Sequence, residues 1–345
     1  MAGLGRLRSL SPRARLAVAG LVVVVILAAV LIPILLSGSG TASSAKPTPH
    51  PSPASSGPAV NPLTGLPGAA GKIVAVKIDN IVYARPQTGI NYADVVYAIE
   101  VEGGLSRFLA VFDADHLPPG GEIGPVRSAR ESDLPILQQY GKVDFVYSGA
   151  LTKFLPLLAQ ADIFNASPNQ DPNVFSRSGS RQAPYNEYVN SAQVLSAYPG
   201  SAVARDVGFR FGTAPAAGGA NTTTYTATMP SASFTFTWDA AAGKYLVALD
   251  GRAAQTTDDG QMGAPTIVIQ KVAETTSPHG FEDTPGVLSP YAPTVGSGAD
   301  VVLRGGKAYD GTWSRPTAAG GTTYSFDGKP MSFAPGQVWI VLEPE

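Results

Sequence analysis

Leu16–Leu36 is an uncharged apolar run of 21 residues, interrupted only by Pro33. It limits what the rest of the chain can be. About 20 apolar residues in a helix cross the hydrocarbon core of a bilayer. Arg6, Arg8, Arg13 and Arg15 precede the run, and the first acidic residue is Asp79. Basic charge before such a segment, with none soon after it, keeps the N-terminus in the cytoplasm. The chain beyond Ser37 is therefore expected outside the cell, held by a single-pass anchor. A cleaved signal peptide is the rival reading. Its apolar core usually runs to about 7–15 residues, but Ala42 to Ala45 supplies the small residues a cleavage site needs. Both readings export the chain.

Residues 37–60 carry Pro47, Pro49, Pro51, Pro53 and Pro58 among Ser, Thr, Ala and Gly. Such a composition cannot bury a core and makes a semi-stiff spacer. The folded part begins near Asn61 and is long enough for two ordinary domains. The chain contains no cysteine, which rules out both a disulfide and a lipid on an N-terminal cysteine. Of the 24 Lys and Arg, five precede Asn61, whereas none of the 26 Asp and Glu does, so the outer part carries 19 against 26, a net charge of −7. Nucleic acid is excluded as a partner, because phosphate neutralisation needs a basic face.

The pattern predicts an α+β fold: a mixed α/β domain over residues 61–212 with a hairpin-containing sheet, then a mostly β domain over 222–345. The Ala- and Gly-rich stretch 212–219 is the expected joint. Ile73 to Ile78 reads as a buried strand ending at Asp79-Asn80. Val95 to Glu102 and Leu105 to Phe112 read as a hairpin about Gly103-Gly104, where glycine supplies the positive φ of a two-residue turn. Paired positions then sum to 207. That sets Ile99 against Phe108 on an apolar face, and Glu100 against Arg107 on the other, with Glu102 opposite Leu105. Ser128 and Glu131 fit a capping box, with Asp133 as the alternative cap. Leu151, Phe154, Leu155 and Leu158 have helical spacing, and Asn190 to Tyr198 predicts a short helix. Further on, Phe234, Phe236 and Trp238 alternate along a strand. Lys244–Leu249, Pro265–Val272, Ala299–Arg304 and Gln337–Leu342 are further strands, with hairpin turns at Gly305-Gly306 and Asp327-Gly328.

Three groups of residues offer chemistry. Arg127 and Arg130 stand near a predicted helix start, where free N–H groups and guanidinium forks receive phosphate or carboxylate. Arg107 would complete that pocket with them, and Glu100, Glu102, Asp79 and Asn80 would set its polarity. The opposing reading has these arginines paired with the acids and holding the domain together. Glu100 and Glu102, two apart on a strand, share a face, and paired carboxylates can hydrolyse glycosides. A facing Arg107 would lower the pKa that a general acid needs raised. Arg181, Tyr185 and Asn186, around Ala183-Pro-Tyr-Asn186, either line a cleft or fix a turn. His116 and His279, the two histidines beyond the spacer, lack metal-ligand spacing. No nucleophile elbow or phosphate-loop fingerprint occurs, so no cofactor is expected. Trp313 and Trp339 either stack on sugars or pack in the core.

Several segments together resemble the YerB-like family, a bacterial lipoprotein-type family. They are Asn61-Pro-Leu-Thr-Gly65, Lys77-Ile-Asp-Asn80, Ala84-Arg-Pro-Gln87, Val101-Glu-Gly-Gly104 with Arg107, and Gly124-Pro-Val-Arg-Ser-Ala-Arg130. Gly311-Thr-Trp313 and Pro335-Gly336 with Trp339 resemble its C-terminal part. The resemblance implies two domains, a cell-envelope setting, a membrane anchor that is commonly a lipid, and contact with wall-synthesis machinery. The chain departs from the pattern in lacking the lipid-bearing cysteine. Tyr185 stands where the family often has histidine, and Val146-Tyr-Ser-Gly149 stands where it has a His-containing, Gly-rich segment. These departures weigh against an enzyme. The expectation is an extracytoplasmic binding or scaffold protein of the envelope, taking an anionic cell-wall precursor or a wall-synthesis protein as partner. The alternative is a hydrolase of wall glycan or peptide working through Glu100 or Glu102.

Overall fold

The computed structural model describes residues 59–345; the expected membrane helix at residues 16–36 and most of the spacer lie outside the described residues. Among the described residues, no helix is long and apolar enough to cross a membrane.

Fifteen strands organise the description. In chain order they are β1 (Ile73–Asp79), β2 (Val95–Val101), β3 (Leu105–Asp113), β4 (Asp144–Val146), β5 (Phe164–Ala166), β6 (Ala220–Asn221), β7 (Thr224–Met229), β8 (Ala232–Asp239), β9 (Lys244–Leu249), β10 (Thr266–Val272), β11 (Gly296–Arg304), β12 (Lys307–Arg315), β13 (Thr323–Phe326), β14 (Lys329–Pro330) and β15 (Val338–Pro344). Among the described residues, three short α-helices, α1 (Asp133–Gln138), α2 (Leu155–Gln160) and α3 (Ser191–Ala197), all lie in the first half. The fold is thus mostly β with few helices, mixed in the first half as the sequence predicts.

One sheet runs through both halves in the order β14-β13-β12-β11-β10-β15-β2-β3-β1-β4-β5, with β6 beside β12. At its centre β15 runs parallel to β10, with Thr266 opposite Val338, and parallel to β2, with Val95 opposite Val338. Its sequence, Val-Trp-Ile-Val-Leu, is apolar throughout, as a strand covered on both faces requires. Val338, Ile340 and Leu342 enter one core with Tyr97, Val111 and α1 residue Ile136; Trp339 and Val341 enter the other with Phe108, Phe234 and Phe236. The smaller sheet containing β7, β8 and β9 covers that second face. Trp313 and Trp339 are both buried, which settles them as core.

The hairpin register differs from the sequence expectation. Val101 pairs with Leu105, so Glu102, Gly103 and Gly104 form a three-residue turn and paired positions sum to 206. Gly103 and Gly104 both take positive φ, 75° and 69°. Because side chains alternate along a strand, this single step moves every partner to the other face. Ile99 now pairs with Arg107, and Glu100 pairs with Ser106.

The shift gives one sheet face a charged end. Lys77 and Asp79 of β1 share it with Arg107 of β3, since Asp79 and Arg107 are register partners. The strip 126–133 covers it. Lys77 Nζ lies 2.6 Å from Asp133 Oδ1, and both side chains are fully buried. Burial lowers the Lys77 pKa, and Asp133 opposes that shift. Asp133 Oδ2 also accepts the Arg130 backbone N–H at 2.7 Å. The helix begins only at Asp133, so Ser128 caps nothing and Arg127 and Arg130 precede the helix by several residues. The expected capping box at Ser128 and Glu131 is therefore not formed.

A buried ion pair adds little net stability when both partners are present, but losing one partner leaves an uncompensated charge. Asp133→Ala should cost about 3–5 kcal/mol in urea unfolding, and Lys77→Met with Asp133→Leu should recover most of that loss.

Candidate functional site

Each expected site residue has a defined place, and together they form three groups. The first group is a clasp. Arg130 forks onto Glu102, with Nε at 2.7 Å from Oε1 and Nη2 at 2.7 Å from Oε2. Burial alone would raise the Glu102 pKa, but the Arg130 fork outweighs it and holds the carboxyl below its usual range. Ser289 Oγ donates to Glu102 Oε1 at 2.6 Å, and Asp283 lies 3.4 Å from Arg130 Nη2. The next two residues continue the clasp. Glu131 accepts from Ser277 Oγ and pairs with His279 Nδ1, and Ser132 Oγ accepts the Ala292 N–H at 3.0 Å. Three consecutive residues of the first half thus grip residues 277–292 of the second. His279 stacks on Phe281, and Phe281 packs on Phe154.

Arg107 lies behind this clasp, 8% exposed, and donates from Nη1 to the Ser128 carbonyl at 2.9 Å. Burial first, then the Arg130 charge, bring its pKa down to about 10. Arg107 therefore sits on the face away from Glu100 and does not pair with it.

The second group is an open face. Arg127 Nε lies 3.0 Å from Asp79 Oδ2. Its guanidinium carbon stands 5.7 Å from the centre of the Tyr185 ring, which packs against Tyr83 at 5.8 Å. Among the described residues, neither Nη atom of Arg127 has a hydrogen-bond partner. Tyr83 is 70% exposed. Arg181 donates to the carbonyls of Ala84 and Pro86, which fixes the loop that carries Tyr83. Asn80 fixes its other end, accepting from Arg85 and Gln87 and donating to Ser106 Oγ at 2.9 Å. Asn186 is buried behind Tyr185 and accepts from Arg177 at 2.9 Å.

These placements can be set beside known proteins. A family model described as "Protein of unknown function (DUF3048) N-terminal domain" matches residues 63–204, and its C-terminal domain model matches 224–340. The chain belongs to this two-domain, YerB-like family. It is 28% identical over 282 residues to "Putative lipoprotein YerB" of Bacillus subtilis, covering 79% of this chain and 81% of that one. The crystal structure of YerB superimposes with a TM-score of 0.69 at 22% identity, covering 83% of this chain and 97% of that chain. The clasp therefore joins one family domain to the other.

The third group was not foreseen as a unit. Glu100 lies beside Glu274, in the segment that follows β10. Burial raises the Glu100 pKa, and burial followed by the Glu100 charge pushes Glu274 up to about 7. Glu100 and Glu102 thus have different partners, and the paired arrangement expected of them is not formed. Tyr83, Glu131 and Glu274 are the participants that sequence reading missed. Tyr83 carried the clearest signal, an aromatic inside the Asn80-to-Gln87 loop segment.

Arg130→Ala strands the Glu102 carboxylate. It should cost about 3 kcal/mol or more and should speed amide hydrogen exchange across residues 275–291 while β1 and β3 stay protected. For Glu274, the pKa rises on folding from its ordinary 4.5 to about 7. In that window the folded state holds more protons than the unfolded state, so stability falls as pH rises. Glu274→Gln should flatten the pH dependence of the urea midpoint between about 4.5 and 7 relative to wild type.

Proposed function

We propose that this chain is a membrane-anchored, extracytoplasmic binding protein of the bacterial cell envelope. Its ligand face is the Arg127–Tyr185–Tyr83 ladder. The setting draws support from the Bacillus relative, which is described as a lipoprotein. Because this chain has no cysteine, the apolar run 16–36 would take the anchoring role that a lipid takes elsewhere.

One observation carries the ligand face: Arg127 is held by one edge only. Asp79 lies against its Nε as a charge partner without a hydrogen bond, Tyr185 supports its plane, and both terminal nitrogens are left without a protein partner among the described residues. A guanidinium so placed presents two parallel N–H donors, the geometry that a carboxylate or phosphate accepts. Arg130 and Arg107 contribute field but not contacts, because Arg130 is directed at Glu102 and Arg107 is buried behind the clasp. Exposed Tyr83 gives the same face an aromatic surface, and tyrosine buries large contact area at low entropic cost. Wall precursors carry phosphates, carboxylates and sugars, and so match all three features.

The test is thermal unfolding of the detergent-purified full chain with UDP-N-acetylmuramoyl-pentapeptide. At a hundredfold excess over the dissociation constant, a ligand bound only by the folded state adds about 2.7 kcal/mol of stability. The midpoint should rise for wild type. It should not rise for Arg127→Ala with Tyr185→Ala, whose own midpoint without ligand is lowered by the loss of the Asp79 partner, so the readout is the shift that ligand adds to each protein. If wild type gains nothing from this precursor or from isolated anionic wall polymer, the ladder is not an anion site and the reading fails.

A further inference from the structure

We propose that the recess beside Glu100 and Glu274 is a recognition site for a primary amine carried on an alkyl arm. This site is separate from the Arg127 face and does not rest on it.

The recess has a volume of about 370 Å³ and opens to solvent. Glu100 and Glu274 form its polar wall, with Thr275, Val287, Leu288 and Pro290 among its other lining residues. Glu100 is only 7% exposed. Its Oε2 is buried without a hydrogen-bond partner, and so is Oε2 of Glu274. Two carboxylates placed against one another with acceptors unfilled need either a shared proton or a cation between them. Among the described residues, no Lys, Arg or His forms an ion pair with either acid. Arg130, which pairs with the neighbouring lining residue Glu102, is engaged there by both carboxylate oxygens. The other charged group lining the recess is Glu102, whose carboxylate is taken by Arg130, so the pair faces no free cation among the described residues. Empty, the pair settles on a shared proton; filled, it exchanges that proton for a positive charge.

The walls select the kind of cation. No group of three or more acidic, His or Cys side chains suited to a metal gathers among the described residues, whereas calcium takes six to eight oxygens. An ammonium needs far less. It carries three N–H donors on a compact charge, and two carboxylates can accept all three. Val287 and Leu288, 51% and 41% exposed, line the recess as apolar surface. They suit the methylenes of an aminoalkyl chain, which buries its stem along apolar surface while its charged head seeks polar groups. The carboxylates set at the base and the apolar residues at the rim therefore fit the two ends of such an arm.

Two sources share this chemistry, a lysine-like side chain on a peptide and a free diamine. Isothermal titration of the detergent-purified full chain with Nα-acetyl-lysine amide and with cadaverine separates them. The lysine derivative should bind more tightly if the mouth reads a backbone beyond the arm, and equal affinity assigns recognition to the arm alone. Either outcome supports the site. Titrations at pH 7 in phosphate and in MOPS should differ in heat, because binding releases the shared proton. Since the amine stays charged, affinity should rise about tenfold from pH 6 to pH 8, following the Glu274 group that titrates at about 7. Glu100→Gln and Glu274→Gln should each weaken binding at least tenfold. Both replacements relieve like-charge crowding, so the variants should fold. Nα,Nε-diacetyl-lysine amide, which has the same arm without the charge, should give no heat. The proposal is overturned if the diacetylated probe binds equally, if neither Gln variant changes amine affinity, or if no amine binds at all. Calcium bound in place of the amines, with the same loss in both variants, would also overturn it and make the recess a metal site.

Discussion

The structure depends on one pairing, the insertion of β15 (Val338–Pro344) between β10 and β2. Parallel strands need long connections, and here the register partner of Val95 is Val338. No local turn can bring these residues together. What holds β15 in place is burial of both its faces, Trp339 and Val341 toward one core and Val338, Ile340 and Leu342 toward the other. Without this strand the two halves would each present an open, apolar sheet edge, the feature that natural proteins take care to cover.

The charged end of the same sheet depends on a second constraint. Lys77, Asp79 and Arg107 are placed by register on a face that is otherwise hydrophobic, and the strip 126–133 must supply their partners. It does so with alternating duties. Arg127 meets Asp79, the Ser128 carbonyl meets Arg107, Arg130 and Glu131 turn outward to the clasp, and Asp133 meets Lys77. The run from Val126 to Asp133 is therefore first a neutralising cover for the sheet. Arg127 is the member with donors left over.

Much of this was legible in the sequence. The strand containing Lys244–Leu249 and the turns at Gly305-Gly306 and Asp327-Gly328 follow from alternation and glycine placement, and the structure has them. The burial of Trp339 fits an unbroken apolar run. The hairpin register was one residue out because two glycines suit both a two-residue turn and the tail of a three-residue turn. Local sequence does not say whether Glu102 belongs to the strand or to the turn. That one step moved Arg107 away from Glu100, and with it the argument that Glu100 must have a low pKa. Glu274 was illegible for a different reason. Its approach to Glu100 follows from β2 and β10 flanking the same strand, a long-range order that no local pattern encodes. The clasp is hidden likewise, since Glu131 fits a capping box and His279 has no partner at metal-ligand spacing.

The shared sheet also bears on inheritance. Two family models describe the chain as if its halves were separable, yet the strand that completes the first half is encoded in the second. The halves cannot be exchanged between relatives by simple recombination near residues 212–219. A foreign second half would have to bring a central strand whose two faces match both cores, and acids and hydroxyls that meet Arg130, Glu131 and Ser132. The two domains are therefore bound to travel as a pair, since each core draws on both.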